Sequence, residues 1–404
     1  MGDPKVLSFG CRNCGRRVRV TLARMVEKLN VGVVGGSIGG LFIAALLTRN
    51  GHQVTVMERS RHGLARRGAG LVAQQELLTL LQNVGRSSAS RVGVVADERI
   101  TLDRAGRVVF RDPAPQMQLS WDHLYEVLRE LVPADSYLLD HAVRAVRSTD
   151  VSAEAETIDG ERRFFDVVIG ADGLGSVTRE AVVPDERGNR YVGYVTWRGL
   201  IPEHAIAGRA ADTLLGRFAF FTAPGAHMLG YLVPGPLGEV APGRRRYNWV
   251  WYRPVSVDDL ADLMQSSGRP VGSLSLAPGD LPGPVLEQLR RDARRELPPE
   301  FVTVVEAEPR PFLQAIVDFV PSQMVRHRVA LLGDAAVVVR PHTAMGASKA
   351  AGDALTLAGL LERLPVLDAL ERYQLQRLPV GRSVAQYGQR LGDSLPLSRA
   401  RERR

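Results

Sequence analysis

The stretch from Val31 to Glu58 restricts this chain more than any other. The apolar run Val31-Gly-Val-Val34 is followed at once by Gly35-Gly36-Ser37-Ile38-Gly39-Gly40, then by Leu41 to Arg49, Gly51 and a second run, Gln53 to Met57. A short apolar run, a glycine-crowded turn, a helical stretch with a glycine stop and a second run read as a βαβ unit of about 30 residues. Such a unit sets two parallel strands side by side and commits this part of the chain to an α/β layer. Gly35 permits the tight turn, Gly40 lets helix and strand approach, and the helix N-terminus offers N–H groups and partial positive charge to a pyrophosphate. Ser37 stands where the usual fingerprint has its middle glycine, and Ile38 opens the helix. Glu58 lies 18 residues past Gly40, at the end of the second strand, where a carboxylate binds two ribose hydroxyls. It would repel a 2′-phosphate, so the site suits FAD or NAD and not NADP. A glycine-rich turn in some other α/β protein is the bland alternative; the order strand, loop, helix, strand, acid argues against it.

Two further strands end in glycine turns. Phe165 to Gly170 runs into Gly170-Ala-Asp172-Gly173-x-x-Ser176-x-x-Arg179, and Arg328 to Leu332 runs into Leu332-Gly333-Asp334-Ala335-Ala336, with Pro341 and Gly346 ahead of a helix. Gly333 allows close backbone approach, Asp334 can accept from a polyol, and the helix after Gly346 presents N–H groups suited to an anionic reduced flavin. Between Tyr191 and about Val320 the pattern changes to alternating aromatic and apolar residues, as in Tyr191-Val-Gly-Tyr-Val-Thr-Trp197 and Tyr247-Asn-Trp-Val-Trp-Tyr252, which reads as a mainly β insert. From Ser348 to about Leu391 the chain reads as helices punctuated by Pro365 and Pro379. The expected architecture is therefore α/β: a discontinuous Rossmann-like dinucleotide-binding domain (29–185 and 321–391), a mainly β insert (186–320) and C-terminal helices. A basic extension expected to be disordered (1–28) and a basic tail (392–404) flank it. No internal repeat stands out.

Charge supports no nucleic-acid face. Of the formal +8, residues 1–24 carry a net +5 and the tail from Ser398 a net +3, so the body between is about neutral. The two cysteines, Cys11 and Cys14, exclude a disulfide-stapled fold and leave the body without a thiol. They make at most half a zinc site, so no metal centre is expected. Residues 1–24 read as a non-functional leader ahead of Met25, with a transit peptide as the weaker reading. No apolar run approaches the roughly 20 residues of a membrane span, and the chain is expected to be cytoplasmic, as a monomer or homodimer.

With three strand-end motifs in this order, the chain resembles the single-component FAD-dependent aromatic hydroxylases, the group of 4-hydroxybenzoate hydroxylase and salicylate hydroxylase. The resemblance covers about residues 29–390. It is most similar to the 2,6-dihydroxypyridine 3-hydroxylase branch, on Val34-Gly-Gly-Ser-Ile-Gly-Gly-Leu41, Gly68-Ala-Gly-Leu-Val-Ala-Gln-Gln-Glu-Leu77, Tyr194-Val-Thr-Trp-Arg-Gly199 and Arg340-Pro-His-Thr-Ala-Met-Gly-Ala-Ser-Lys-Ala350. It departs from the wider group at Val337 (commonly His), Ala344 (commonly Gly) and Trp121 (commonly Arg).

The resemblance implies FAD held by Gly35, Gly36, Ser37, Ile38, Gly40, Glu58, Arg59, Gly70, Leu71, Asp172, Gly173, Gly333, Asp334, Pro341, Gly346, Ala347 and Ser348. It implies NADH or NADPH as transient reductant and O₂ as co-substrate, giving a flavin C4a-hydroperoxide that attacks an electron-rich ring such as a phenol or hydroxypyridine. A general base that removes the ring O–H proton makes the ring carbon more nucleophilic; His342, beside the flavin loop, and His227, after Pro224-Gly225-Ala226, are the candidates. Trp197, Tyr231, Tyr252 and Lys349 are the candidate substrate contacts, although alternating aromatics in a strand are often core. A flavin reductase or dehydrogenase that inserts no oxygen, a dead flavin-binding protein and, more weakly, a flavin halogenase are the rivals.

Overall fold

The computed structural model describes residues 27–64, 70–89, 92–186, 188–270 and 272–397, and of 6–10 and 17–21 the strand backbone alone. In the N-terminal extension, Val6–Gly10 and Arg17–Thr21 pair antiparallel with each other and, among the described residues, with no other strand. Cys11, Cys14 and the basic tail from Ser398 lie outside the described residues.

A six-stranded sheet forms the first layer, in the order Tyr137–Leu138, Gln53–Met57, Asn30–Val34, Val167–Gly170, Val329–Leu331, Val325–Arg326. The first five strands run parallel and the last is antiparallel. Parallel strands are covered on both faces, which is why Val31, Val33, Val167, Val168 and Ile169 form near-continuous apolar runs with no exposed surface. Helix Ile38–Arg49 is apolar almost all round because it lies between this sheet and its neighbours, the helices Trp121–Arg129 and Gly346–Leu361. The three glycine turns thus sit together at the carboxyl ends of adjacent strands, where open α/β sheets bind their ligands.

The final helix, Val366–Ser394, starts straight after Pro365 but runs through Pro379 without a break. Proline in a helix interior loses one backbone bond and is expected to kink or end it. Here buried Leu378, Gly381, Val384 and Ala385 fasten the helix on both sides of the lost bond. The helix also continues past residue 391, and Leu397 is buried, so 392–397 belong to the packed body and not to the tail.

The second layer is an eight-stranded sheet in the order Ser275–Leu276, Phe312–Asp318, Arg190–Pro202, Arg246–Pro254, Ala226–Val233, Arg217–Ala223, Glu98–Leu102, Val108–Asp112. Six of these strands come from the expected β insert. The last two come from sequence assigned above to the cofactor domain, and Glu98–Leu102 joins the insert in parallel to Arg217–Ala223. The insert also carries helices Gly208–Leu214, Val257–Ser266, Gly283–Glu296 and Pro299–Glu306. One face of the sheet buries Val195, Trp197, Phe221, Met228, Trp249 and Trp251 in a single apolar cluster. The other face looks towards the glycine turns.

Candidate active site

Between those turns and the open face of the second sheet lies a cavity of about 750 Å³, within the roughly 300–1,000 Å³ typical of ligand sites. Its cofactor end is lined by Ser37, Ile38, Gly39, Gly70, Leu71, Gly173, Gly333, Asp334, Gly346 and Ala347. Gly35 has φ of 100°, and a Cβ there would meet the Ala171 carbonyl at 2.5 Å; one at Gly40 would meet the Gly35 carbonyl at 1.9 Å. These two positions admit only glycine, as the turn required. Ser37 caps the following helix without a side-chain bond, so the helix N-terminus keeps its N–H groups for an anion. Glu58 is buried, accepting from Gly36 N and Ser60 N at 2.8 Å each, which holds its carboxylate at the end of the second strand.

The second and third turns are bolted to each other by buried Arg179. Its guanidinium donates to the carbonyls of Ala335 (2.7 Å), Leu174 (3.0 Å) and Asp334 and to Asn189 Oδ1 (2.8 Å), and lies 4.0 Å over the Phe319 ring. Gly333 is gripped at both ends: its N–H donates to Asp353 Oδ2 (3.2 Å) and its carbonyl accepts from Lys349 Nζ (2.6 Å). These features suit a dinucleotide stretched across three loops.

Several expected residues do something else. Lys349 is not a substrate contact: it is 2% exposed, ion-paired to Asp353 at 3.0 Å, and lies beneath the cavity floor. A lysine one helical turn before an aspartate on a buried helix neutralises that aspartate, and Arg377 completes the pair from the last helix (Nε to Asp353 Oδ1, 2.8 Å). Asp172 does not face the cavity; its carboxylate accepts from Ser176 Oγ, Val177 N, Thr178 N and Thr178 Oγ1 and starts the helix Thr178–Val182, while Ala171 and Gly173 on either side line the wall. Ser348 is buried against Glu76, and Arg59 is exposed away from the cavity. Trp197 is not a substrate contact either, because side chains alternate along a strand and its side is the buried one.

The same alternation brings Thr196, Arg198, Phe218, Phe220, His227, Tyr231, Val250, Tyr252 and Gln314 to the cavity. Register makes rows of them: Thr222, His227, Tyr252, Thr196 and Gln314 lie side by side across five strands, and the next row holds Phe220, Leu229, Val250, Arg198 and Phe312. His227 pairs through Nδ1 with Thr222 Oγ1 at 2.8 Å, and burial lowers it to about 4. His342 enters from the third loop, its ring 5.0 Å from that of Tyr252, which is itself 5.6 Å from His227. Burial first, then the Arg340 charge, lower His342 to about 3. Both imidazoles are neutral at physiological pH. Trp121 lines the wall and stacks on Tyr125 at 5.2 Å. Ala344 adopts φ of 55°, a left-handed conformation that explains the glycine usual at this point.

Arg198 stands on the same wall. Its guanidinium makes no hydrogen bond or ion pair among the described residues; Nε is buried without a partner, and the group lies 5.5 Å from the Phe312 ring. The signal was available: Tyr194, Thr196 and Arg198 share one side of their strand, opposite Trp197.

Comparison with known proteins agrees with this geometry. Residues 33–65 match the model of an NAD(P)-binding Rossmann-like domain, and residues 191–318 that of an FAD-binding-like domain. The chain is 32% identical to 2,6-dihydroxypyridine 3-monooxygenase of Paenarthrobacter nicotinovorans over 357 residues, 87% of each chain. It belongs to the FAD-dependent aromatic monooxygenases. Another relative, 3-amino-4-hydroxybenzoate 2-monooxygenase of Streptomyces cremeus, is 30% identical over 92% of this chain and 89% of its own. The solved structure of 2,6-dihydroxypyridine-3-hydroxylase from Arthrobacter nicotinovorans superposes with a TM-score of 0.85 at 29% identity, covering 92% of this chain and 93% of that one.

This monooxygenase uses FAD, NAD(P)H and O₂ on a small aromatic or heteroaromatic molecule. The bound flavin supplies activation of O₂ with electrons from the nicotinamide. The three loops would hold the cofactor, and aromatic side chains wall the ring end, where they would exclude water.

Proposed function

We propose that the substrate is a small, planar hydroxylated ring of the hydroxypyridine or hydroxybenzoate type that reacts as its oxyanion. Arg198 would hold the negative charge and His227 would take the ring O–H proton. The observation that carries this reading is the unpaired Arg198 in a wall of aromatic side chains. Holding a half-buried cation with its Nε cut off from water and unpartnered costs free energy, and an anionic substrate would offset it. His227 has one nitrogen on Thr222 and the other left for the substrate. With Nδ1–H donating to Thr222 Oγ1, its neutral imidazole would be bare at Nε2 at neutral pH, and the oxyanion formed beside it would raise its hold on the proton it accepts. FAD would lie across the loops of Gly35 to Gly40, Gly70-Leu71, Gly173, Gly333-Asp334 and Gly346-Ala347, with Glu58 on the ribose hydroxyls.

The relatives act on 2,6-dihydroxypyridine and 3-amino-4-hydroxybenzoate, and a third, 24% identical, on 6-hydroxynicotinate. All three are electron-rich rings carrying hydroxyl groups. Among the described residues no helix is long and apolar enough to cross a membrane, and the enzyme would work in the cytoplasm, where NAD(P)H is kept reduced.

The test is aerobic NADH and NADPH oxidation by the flavin-loaded enzyme with these three compounds, with mass spectrometry of the products. Stimulated oxidation and a one-oxygen mass gain are expected with at least one. His227→Gln should lower kcat by about 10²–10⁴, the usual span of a lost general base. Coenzyme oxidation without oxygen insertion for every ring offered would instead favour a flavin reductase.

A further inference from the structure

The two histidines of the ring site differ in what stands behind them. Behind His342 is Tyr194, whose hydroxyl lies 3.2 Å from Nε2, and behind Tyr194 is Arg340, whose Nη1 lies 3.3 Å from the same hydroxyl. Arg340 is buried and fixed by two bonds to Asp318, Nε to Oδ1 at 2.8 Å and Nη2 to Oδ2 at 2.7 Å; Asp393 and Arg190 reach the outer edge of the group. A Cβ on Gly392 would come within 2.5–2.9 Å of Arg340 Nη1, Tyr194 Oη and His342 Nε2, so the last helix closes tightly over all three. The Tyr194 hydroxyl has no other partner among the described residues.

A guanidinium can only donate. Arg340 therefore takes a lone pair of Tyr194, and the single Tyr194 proton has one acceptor within reach, His342 Nε2. That nitrogen must be bare, so the proton of the neutral imidazole sits on Nδ1. The opposite tautomer would aim two donors at one oxygen and strand the phenolic proton in a buried place, at a cost of about 1–3 kcal/mol. The doubly protonated ring is opposed by burial and by the Arg340 charge. Nδ1 is itself buried and has no partner among the described residues.

From this chain of donors we infer that His342 is held as the Nδ1–H tautomer, that it is not the base, and that Arg340 sets this polarity through Tyr194. The inference deepens the reading given under Proposed function and rests on it for the substrate. A substrate oxygen brought against His342 Nδ1 would meet a donor and not a base, and with Nδ1–H of His227 donating to Thr222 the other histidine would accept at Nε2, so the site fits a ring with two oxygen substituents. One is a hydroxyl that gives up its proton, and the other is an oxo, oxyanion or carboxylate oxygen that accepts a bond. Arg340 and Tyr194 act as positioning residues and touch no substrate.

The test begins with ¹⁵N NMR of the flavin-loaded enzyme labelled at its eight histidines, with His342 assigned by its loss in His342→Asn. The expected spectrum has His342 protonated at Nδ1 and bare at Nε2, and Tyr194→Phe should abolish that preference. A proton on Nε2 in the native enzyme would overturn the inference. The second arm uses 2,6-dihydroxypyridine and 6-hydroxynicotinate as probes. Asparagine carries an amide N–H near the place of Nδ1 and cannot act as a base; leucine offers neither. His342→Asn should bind within about fivefold of the native enzyme and keep most of kcat, whereas His342→Leu should lose about 10–100-fold in KM, the span of one buried hydrogen bond. If His342→Asn loses kcat as fully as His342→Leu, His342 is the base and the inference falls. If the native enzyme hydroxylates neither probe, the substrate reading fails, and the spectrum still decides the tautomer.

Discussion

The cofactor end and the ring end of the cavity use buried charge in opposite ways. Beneath the glycine turns the buried charges are consumed by their neighbours: Lys349, Asp353, Arg377 and Glu76 neutralise one another, and Arg179 spends its donors on backbone carbonyls and Asn189. At the ring end Arg198 Nε and His342 Nδ1 have no hydrogen-bond partner among the described residues. A cofactor that stays bound needs loops that do not move, and a substrate that comes and goes needs hydrogen bonds held in reserve. The same residue types therefore build a scaffold in one place and a binding surface a few residues away.

The contrast can be broken by charge removal at each end. Lys349→Met should cost about 3–5 kcal/mol of stability, the usual result of unpairing a buried ion, together with weaker FAD retention; denaturant melts and flavin release would measure both. Arg198→Met should leave the melt unchanged or raised while kcat/KM falls about 10–100-fold, the worth of a charge-assisted bond of about 1.5–3 kcal/mol. Equal stability losses for the two variants would show that both ends are scaffold.

Acid sharpens the comparison further. His227 and His342 sit near 4 and 3 by burial, against an ordinary 6.5. The unfolded chain thus binds more protons than the folded one below pH about 6.5. Their share of stability is full above that pH and drains as it falls towards 4, by up to about 1.4 kcal/mol per pH unit for each histidine. The His227→Asn/His342→Asn pair should flatten that slope between pH 6.5 and 4 in denaturant titrations. The smallest effect is expected where the two ends meet: Ala344→Gly should stabilise by about 1 kcal/mol, since it removes a left-handed conformation from a residue with a Cβ.

How much of this was legible in the sequence follows the same division. The cofactor end depends on backbone that only glycine can supply, and Gly35, Gly40 and Gly333 announce it at fixed distances from strands and acids. The ring end depends on which of two faces a strand turns inward. Alternation grouped Tyr194, Thr196 and Arg198 against Val195 and Trp197, but nothing local says which group meets the cavity and which the apolar cluster. The largest aromatic was taken as the contact, and the helices laid against that face bury it instead. Lys349 and Asp172 were misread for another reason. A charged residue next to a cofactor motif looks like a ligand, and only the packed structure shows the buried partner that already occupies it. The hairpin of Glu98–Leu102 and Val108–Asp112 could not be assigned to the second sheet from pattern alone, because it joins that sheet through Arg217–Ala223, more than 100 residues away.

The long-range pairing of the first sheet has a consequence for how the molecule is made. Val167–Gly170 cannot gain its neighbour Val329–Leu331 until the chain between them has been synthesised and drawn together. That intervening chain is the substrate insert. During synthesis the loop of Gly333 and Asp334 therefore emerges after the ring pocket, and the flavin-binding surface is the last to be completed. A ribosome-bound chain stopped short of residue 329 would carry most of the substrate wall and still be unable to close the cradle that makes the enzyme yellow.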